Sequence, residues 1–84
     1  MLLDLVTPLG SVLKEEADEL LVPACDGLMG ILKGHDDMIA ALGEGTLVVK
    51  NQAGEKSLSI EGGGFLQVDG DNVYVLAEKA SPIN

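Results

Sequence analysis

Gly64-Phe65-Leu66-Gln67-Val68-Asp69-Gly70-Asp71-Asn72-Val73-Tyr74-Val75-Leu76-Ala77 is the stretch that decides how this chain folds. Leu66 and Val68 alternate with Gln67 and Asp69. Val73, Val75 and Ala77 share one face, with Tyr74 and Leu76 on the other. A period of two is that of a strand with one side turned to a core. Between the two runs, Asp69-Gly70-Asp71-Asn72 supplies the residue types that accept the positive φ of a tight hairpin. The same four residues have a superficial look of a calcium loop. They lack its alternating ligand spacing and its distant glutamate, so the reading is a turn.

The pattern continues toward the N-terminus. Leu58 and Ile60 alternate with Ser57, Ser59 and Glu61, and Leu3 and Leu5 oppose Asp4. Leu20-Leu21-Val22 and Leu47-Val48-Val49 are apolar on both faces, as strands covered on two sides are. Breakers fall at short intervals: Pro8-Leu9-Gly10, Pro23, Lys33-Gly34, Gly43-Glu44-Gly45, Asn51-Gln52-Ala53-Gly54 and Gly62-Gly63-Gly64. The predicted strands are 2–7, 11–16, 18–23, 28–32, 46–50, 56–61, 64–69 and 72–77. Residues 36–42 are ambiguous, because Met38, Ile39 and Leu42 have helical spacing over a run too short to hold a helix alone. The fold class is all-β: a small antiparallel sandwich or flattened barrel of about eight to ten short strands. Its predicted core is Leu5, Val22, Ile31, Val48, Ile60, Leu66, Val68, Val73 and Val75.

The 84 residues suit one small domain. Phe65 and Tyr74 are the only aromatic residues, so the core must be aliphatic. Fourteen acids stand against five lysines, with no arginine, for a net charge of −9. That excludes nucleic acid as a partner, since neutralising phosphates takes clustered Lys and Arg, and it disfavours adhesion to anionic lipid. It favours solubility and basic protein partners. The single cysteine, Cys25, has no internal disulfide partner, as in a reducing compartment. No signal peptide is visible at the start, and no apolar run approaches the ~18 residues of a spanning helix.

The residues that could carry chemistry have plainer readings. His35-Asp36-Asp37 offers metal-ligand types, but three contiguous residues splay around a turn. His35 alone could be a general base only with a nucleophile and an oxyanion site assembled around it. Gly62-Gly63-Gly64 lacks the Lys-Ser/Thr of a phosphate loop and precedes a strand where a helix should open. A bulge or close backbone packing fits it better. Cys25 reads as structural, and Glu15-Glu16 with Asp18-Glu19 as a solvated edge that discourages strand pairing.

One stretch says more. Asp26-Gly27-Leu28-Met29-Gly30-Ile31-Leu32-Lys33-Gly34-His35-Asp36-Asp37-Met38-Ile39-Ala40-Ala41-Leu42 resembles the signature of the ε subunit of rotary ATP synthases. That signature reads roughly Glu-Gly-Glu-Leu-Gly-Ile-x-Pro-Gly-His-Ala-Pro-Leu-Leu-Thr-Ala-Leu. Gly27, Gly30, Ile31, Gly34, His35, Ala41 and Leu42 match. Leu3-Asp4-Leu5-Val6-Thr7-Pro8-Leu9-Gly10 looks like the family's opening strand and turn. Gly63-Gly64-Phe65-Leu66-Gln67-Val68 and Asn72-Val73-Tyr74-Val75-Leu76-Ala77 look like its last two strands. The departures are Leu28 for the second loop acid, Lys33 for the proline before Gly-His, and Asp37 for the proline after it.

The resemblance implies a non-catalytic central-stalk subunit that joins the γ subunit to the c-ring and needs no cofactor. It implies peripheral association with the cytoplasmic side of the membrane, as part of F1, with no direct insertion. It places γ contacts at Thr7, Gly34, His35 and Ala40, and c-ring contacts at Asp26, Gly27, Leu28 and Met29. Met29, Ile31 and Met38 cluster with Leu28 around the signature loop. The sandwich is expected over 1–80, with 81–84 a short tail in place of the family's C-terminal helical hairpin, whose absence implies coupling without inhibition. The alternative readings are a stand-alone β-sandwich binding module and a small enzyme working through His35. Binding to γ separates the first from the family reading, and a pocket of converging polar groups would favour the second.

Overall fold

The structure is a computed structural model, and it describes residues 1–83. Eight strands form one continuous sheet: β1 (Leu2–Thr7), β2 (Gly10–Glu16), β3 (Glu19–Ala24), β4 (Gly27–Leu32), β5 (Met38–Leu42), β6 (Gly45–Asn51), β7 (Gly54–Asp69) and β8 (Asn72–Ile83). The order is β2-β1-β8-β7-β5-β3-β4, with β6 bridging β3 and β7.

Two long strands turn this sheet into a flattened barrel, because both change neighbours midway. The first half of β7 pairs with β6, Gly45 opposite Ile60 through Asn51 opposite Gly54. Its second half pairs with β5, Met38 opposite Val68 through Leu42 opposite Gly64. Likewise β8 lies between β1 and β7 over its first five residues, then runs beside β7 alone to Ile83. One layer is therefore β2, β1, the start of β8, the end of β7 and β5. The other is the end of β8, the start of β7, β6, β3 and β4. The layers close on each other where Ala24 pairs with Leu42, the Cys25 N–H donates to the Ala41 carbonyl at 3.0 Å and the Gly43 N–H donates to the Pro23 carbonyl at 2.8 Å.

The crossing point is Gly62-Gly63-Gly64. The register of β7 against β8 shifts between Glu61 and Gly64, and Gly62 and Gly63 have φ of 78° and 74°. A Cβ on Gly64 would fall 1.9 Å from the Leu76 carbonyl oxygen, and one on Gly63 would fall 2.8 Å from that of Leu42. Bulge and close packing are both present, and only glycine fits them. This bend joins the predicted strands 56–61 and 64–69 into one.

Four further expectations change in the folded chain. Residues 38–42 are a strand, because pairing with β7 satisfies their backbone where a one-turn helix could not. The last strand runs past 77 to Ile83, carried by its pairing with the start of β7. Val48 is only half-buried: Leu47 and Val49, 0% and 1% exposed, are the core-facing residues of β6. Val48 packs on the outside, opposite Leu21, which is half-buried as well, so these runs are covered on one face and shielded by each other on the second. Finally, β1 and β8 run parallel, a pairing that alternation alone does not register. The rest of the predicted core is buried, each residue at most 3% exposed. Leucine, isoleucine and valine from both layers fill the interior, each side chain worth about 1.5–3 kcal/mol on burial.

Polar ties hold the open side. Glu15 accepts hydrogen bonds from Asn51 Nδ2 at 2.8 Å and from Lys56 Nζ. The carboxylate thus pins β2 to the β6–β7 hairpin instead of standing free as an edge charge.

Candidate docking surface

Strand alternation sends one set of side chains into the core and the other outward. On the first layer the outward set is largely apolar. Across the strands one row reads Ala41, Phe65, Leu76, Val6 and the next Ile39, Gln67, Tyr74, Asp4. Ile39 is 72% exposed, Phe65 59%, Leu76 52% and Tyr74 43%. Both aromatic residues of the chain thus lie on the surface, not in the core. Two shallow hollows flank Phe65 and Leu76, one bounded by Ile39 and Tyr74, the other by Pro8 and the Gly62–Gly64 bend. A contiguous aliphatic and aromatic patch is a binding surface in the making, since soluble monomers keep such patches small. Leu9, wholly exposed at the β1–β2 turn, extends it.

Sequence reasoning did not single out Ile39, Phe65, Tyr74 and Leu76. The signal was available: Tyr74 and Leu76 occupy the face of β8 opposite its core residues, where a solvated strand would carry polar groups.

The residues implied by the resemblance frame this face. Thr7 is 7% exposed, and its hydroxyl is turned into its own turn, accepting from the Leu9 N–H at 3.2 Å and reaching the Gly10 carbonyl at 3.5 Å. What that corner presents is Pro8 and Leu9. Gly34, at φ 84°, and His35, whose N–H donates to the Leu32 carbonyl at 3.0 Å, form the turn after β4. The His35 ring is half-buried, with Nδ1 2.8 Å from the Asp36 carbonyl. Asp37 accepts from the Gly70 N–H at 2.8 Å, which ties this turn to the tip of the β7–β8 hairpin. Ala40 lies half-buried on the inner side of β5, opposite Leu66, so its neighbours Ile39 and Ala41 are the ones that face out. Thr7 and the His35 turn mark opposite ends of the first layer, and the apolar patch spans the interval.

The other group lies together on the β3–β4 hairpin. Asp26 and Gly27 are exposed at its turn, Leu28 is 70% exposed, and Met29 packs partly against the core. Ile31 is fully buried and Met38 half-buried. Cys25 is exposed on the same turn, so it is not a packed structural cysteine. Among the described residues no grouping of three His, Cys, Asp or Glu could hold a metal ion, and no helix is long and apolar enough to cross a membrane.

Comparison with known proteins places this arrangement. Residues 1–83 match the family model of the β-sandwich domain of the ATP synthase delta/epsilon chain. The chain is 42% identical over 78 residues to the ATP synthase epsilon chain of Synechococcus sp. (strain WH7803), covering 93% of this chain and 57% of that one. It is 40% identical over 78 residues to the epsilon chain of Desulforapulum autotrophicum, covering 93% and 58%. The chain thus spans a little over half the length of these relatives. A chain in the cryo-EM structure of the Euglena gracilis mitochondrial ATP synthase (OSCP/F1/c-ring, rotational state 1) superposes with a TM-score of 0.86 at 29% identity, covering 95% of this chain and 51% of that one. One in the central stalk/c-ring structure of the Tetrahymena thermophila enzyme shares the fold, with a TM-score of 0.75 at 17% identity, covering 95% and 64%. With residues 1–83 matched by the family model and relatives about 40% identical over 93% of the chain, the chain belongs to the ATP synthase delta/epsilon chain β-sandwich family.

Proposed function

We propose that this chain is the stalk-joining sandwich of an F-type ATP synthase: a non-catalytic element that clamps the γ subunit to the c-ring and passes torque between ion flow and ATP synthesis. The observation that carries this reading is the exposed patch of Ile39, Phe65, Tyr74 and Leu76 on the first layer. It is the surface we assign to γ, with Thr7, Gly34, His35 and Ala40 at its margins. The β3–β4 hairpin, with Asp26, Gly27, Leu28 and Met29, is the surface we assign to the ring. The two surfaces sit on a double-layered sheet joined at the Ala24–Leu42 seam and at the Gly62–Gly64 bend, which resists the shear that a rotating joint must bear.

In this role the chain is peripheral on the cytoplasmic side of the membrane, held there by its partners. It needs no cofactor and makes no contact with nucleic acid. These 84 residues should join without inhibiting: added to an enzyme depleted of this subunit, they restore coupling and leave ATP hydrolysis unsuppressed.

Calorimetric titration against γ tests the assignment. Phe65→Glu with Leu76→Glu should abolish binding, and His35→Ala with Ala41→Arg should weaken it, each with the fold retained by circular dichroism. Unchanged affinity in both would reject the γ assignment and leave a stand-alone binding module as the reading.

A further inference from the structure

β4 is the last strand of its layer and pairs only with β3. An edge strand leaves alternate N–H and C=O groups unpaired and invites another strand. The other free edges carry devices against this. β2 ends in the exposed charges Lys14 and Glu16, the end of β8 holds Glu78, Lys79 and Pro82, and β5 follows Asp36 and Asp37 and is tied to β3 at its far end. β4 reads Gly-Leu-Met-Gly-Ile-Leu, with no charge, no proline and no register shift against β3. Its outward side chains are Leu28 and Leu32, 70% and 59% exposed, with Gly30 between them.

The two-residue turn at Cys25 and Asp26 makes Ala24 and Gly27 the hydrogen-bonded pair that closes the hairpin. Alternation then points the N–H and C=O groups of Leu28, Gly30 and Leu32 away from β3. We propose that this edge pairs with the same edge of a second copy of the chain, antiparallel, about a two-fold axis through Gly30. This register uses the outward backbone groups and keeps the core faces of the two copies on the same side. Gly30 meets its own symmetry mate, and Leu28 of each copy lies opposite Leu32 of the other on the exposed face.

Only residues within β4 take part, since Lys33 and Gly34 turn away under the bond from the His35 N–H to the Leu32 carbonyl. The Leu32 carbonyl already accepts from the His35 N–H. The bonds left free to form are therefore Gly30 to Gly30 and Leu32 N–H to Leu28 C=O, in both directions. Such an interface is self-complementary, as a two-fold contact requires. It would also cover Leu28 and Met29, assigned above to the ring, so a free copy would shield this edge until it is assembled. The pairing itself does not depend on that assignment.

Sedimentation equilibrium of the 84-residue chain from about micromolar to about millimolar concentration should show a reversible monomer–dimer equilibrium. Amide exchange of the unmodified chain should show Gly30 and Leu32 gaining protection as concentration rises. Leu28→Lys with Leu32→Lys sets like charges face to face and should weaken association at least about tenfold. A chain that stays monomeric throughout would overturn the proposal. So would a dimer that survives the paired lysines, or one whose protection falls on Phe65 and Leu76 in place of β4. If a variant fails to fold, the amide-exchange result on the unmodified chain decides alone.

Discussion

β7 and β8 run through both layers of the sandwich, and the outer faces they give to the two layers differ. On the first layer, β7 and β8 present Phe65, Tyr74 and Leu76. On the second, the earlier half of β7 presents Ser57 and Ser59, opposite Ser81 and Ile83 on β8 and opposite Val48 and Thr46 on β6. Farther along, Lys50 lies 3.7 Å from Glu19 and 3.8 Å from Glu55. Alternation fixes which residues point outward, but it places no demand on their polarity. Serine, threonine and paired charges are what solvent selects on an outward face, so the apolar face needs another cause. A partner that covers it is the cause we assign.

The strongest way to break the comparison is to remove the bend that lets one strand serve both faces. Gly64→Val puts a Cβ onto the Leu76 carbonyl and within 2.9 Å of the Ala77 Cα. Backbone cannot yield as a side chain can, so a loss above about 4 kcal/mol is expected, read as an unfolded chain by circular dichroism. An ordinary melting transition would show that β7 does not cross there.

Next comes the core that both faces share. Leu66, fully buried between the layers, should lose about 2–5 kcal/mol on Leu66→Ala, measured by urea unfolding. A cost below about 1 kcal/mol would mean a looser interior than the burial describes.

A third experiment sharpens the contrast itself. Phe65→Ala on the first face should cost about 2 kcal/mol of γ binding, roughly thirtyfold, while Ser59→Ala on the second should change nothing measurable. Equal effects from the two faces would erase the distinction. The smallest effect is expected at the margin. Asp37→Ala removes the tie from the His35 turn to the Gly70 N–H, an exposed hydrogen bond worth about 1 kcal/mol or less. Faster amide exchange at Gly70, with global stability nearly unchanged, is the expected reading.

Much of this architecture was legible beforehand, and the places where it was not have specific reasons. The hairpin of β7 and β8 and the turn at Asp69–Asn72 follow from alternation and from glycine. β5 was ambiguous because five residues carry too little periodicity to separate 3.6 from 2; its pairing with Leu66 and its neighbours decided the matter. Val48 reads as core because Leu47-Val48-Val49 is apolar on both sides, and only the neighbouring strand shows which side faces in. Ile39 and Phe65 stood in plain view as apolar residues, but whether such a residue is core or surface depends on which neighbour its strand finds.

By itself, then, the sequence determined most of the strands, the turns, most of the aliphatic core and the family. These rest on local chemistry: a period of two, the conformational freedom of glycine, and a short motif at fixed offsets. Tertiary structure alone decided that β1 joins β8 in parallel, that β7 and β8 each belong to two layers, and that both aromatic residues end on one outer face. Those outcomes depend on contacts between residues far apart in the chain. The energy of such a contact resides in the pair, and no stretch of sequence carries it alone.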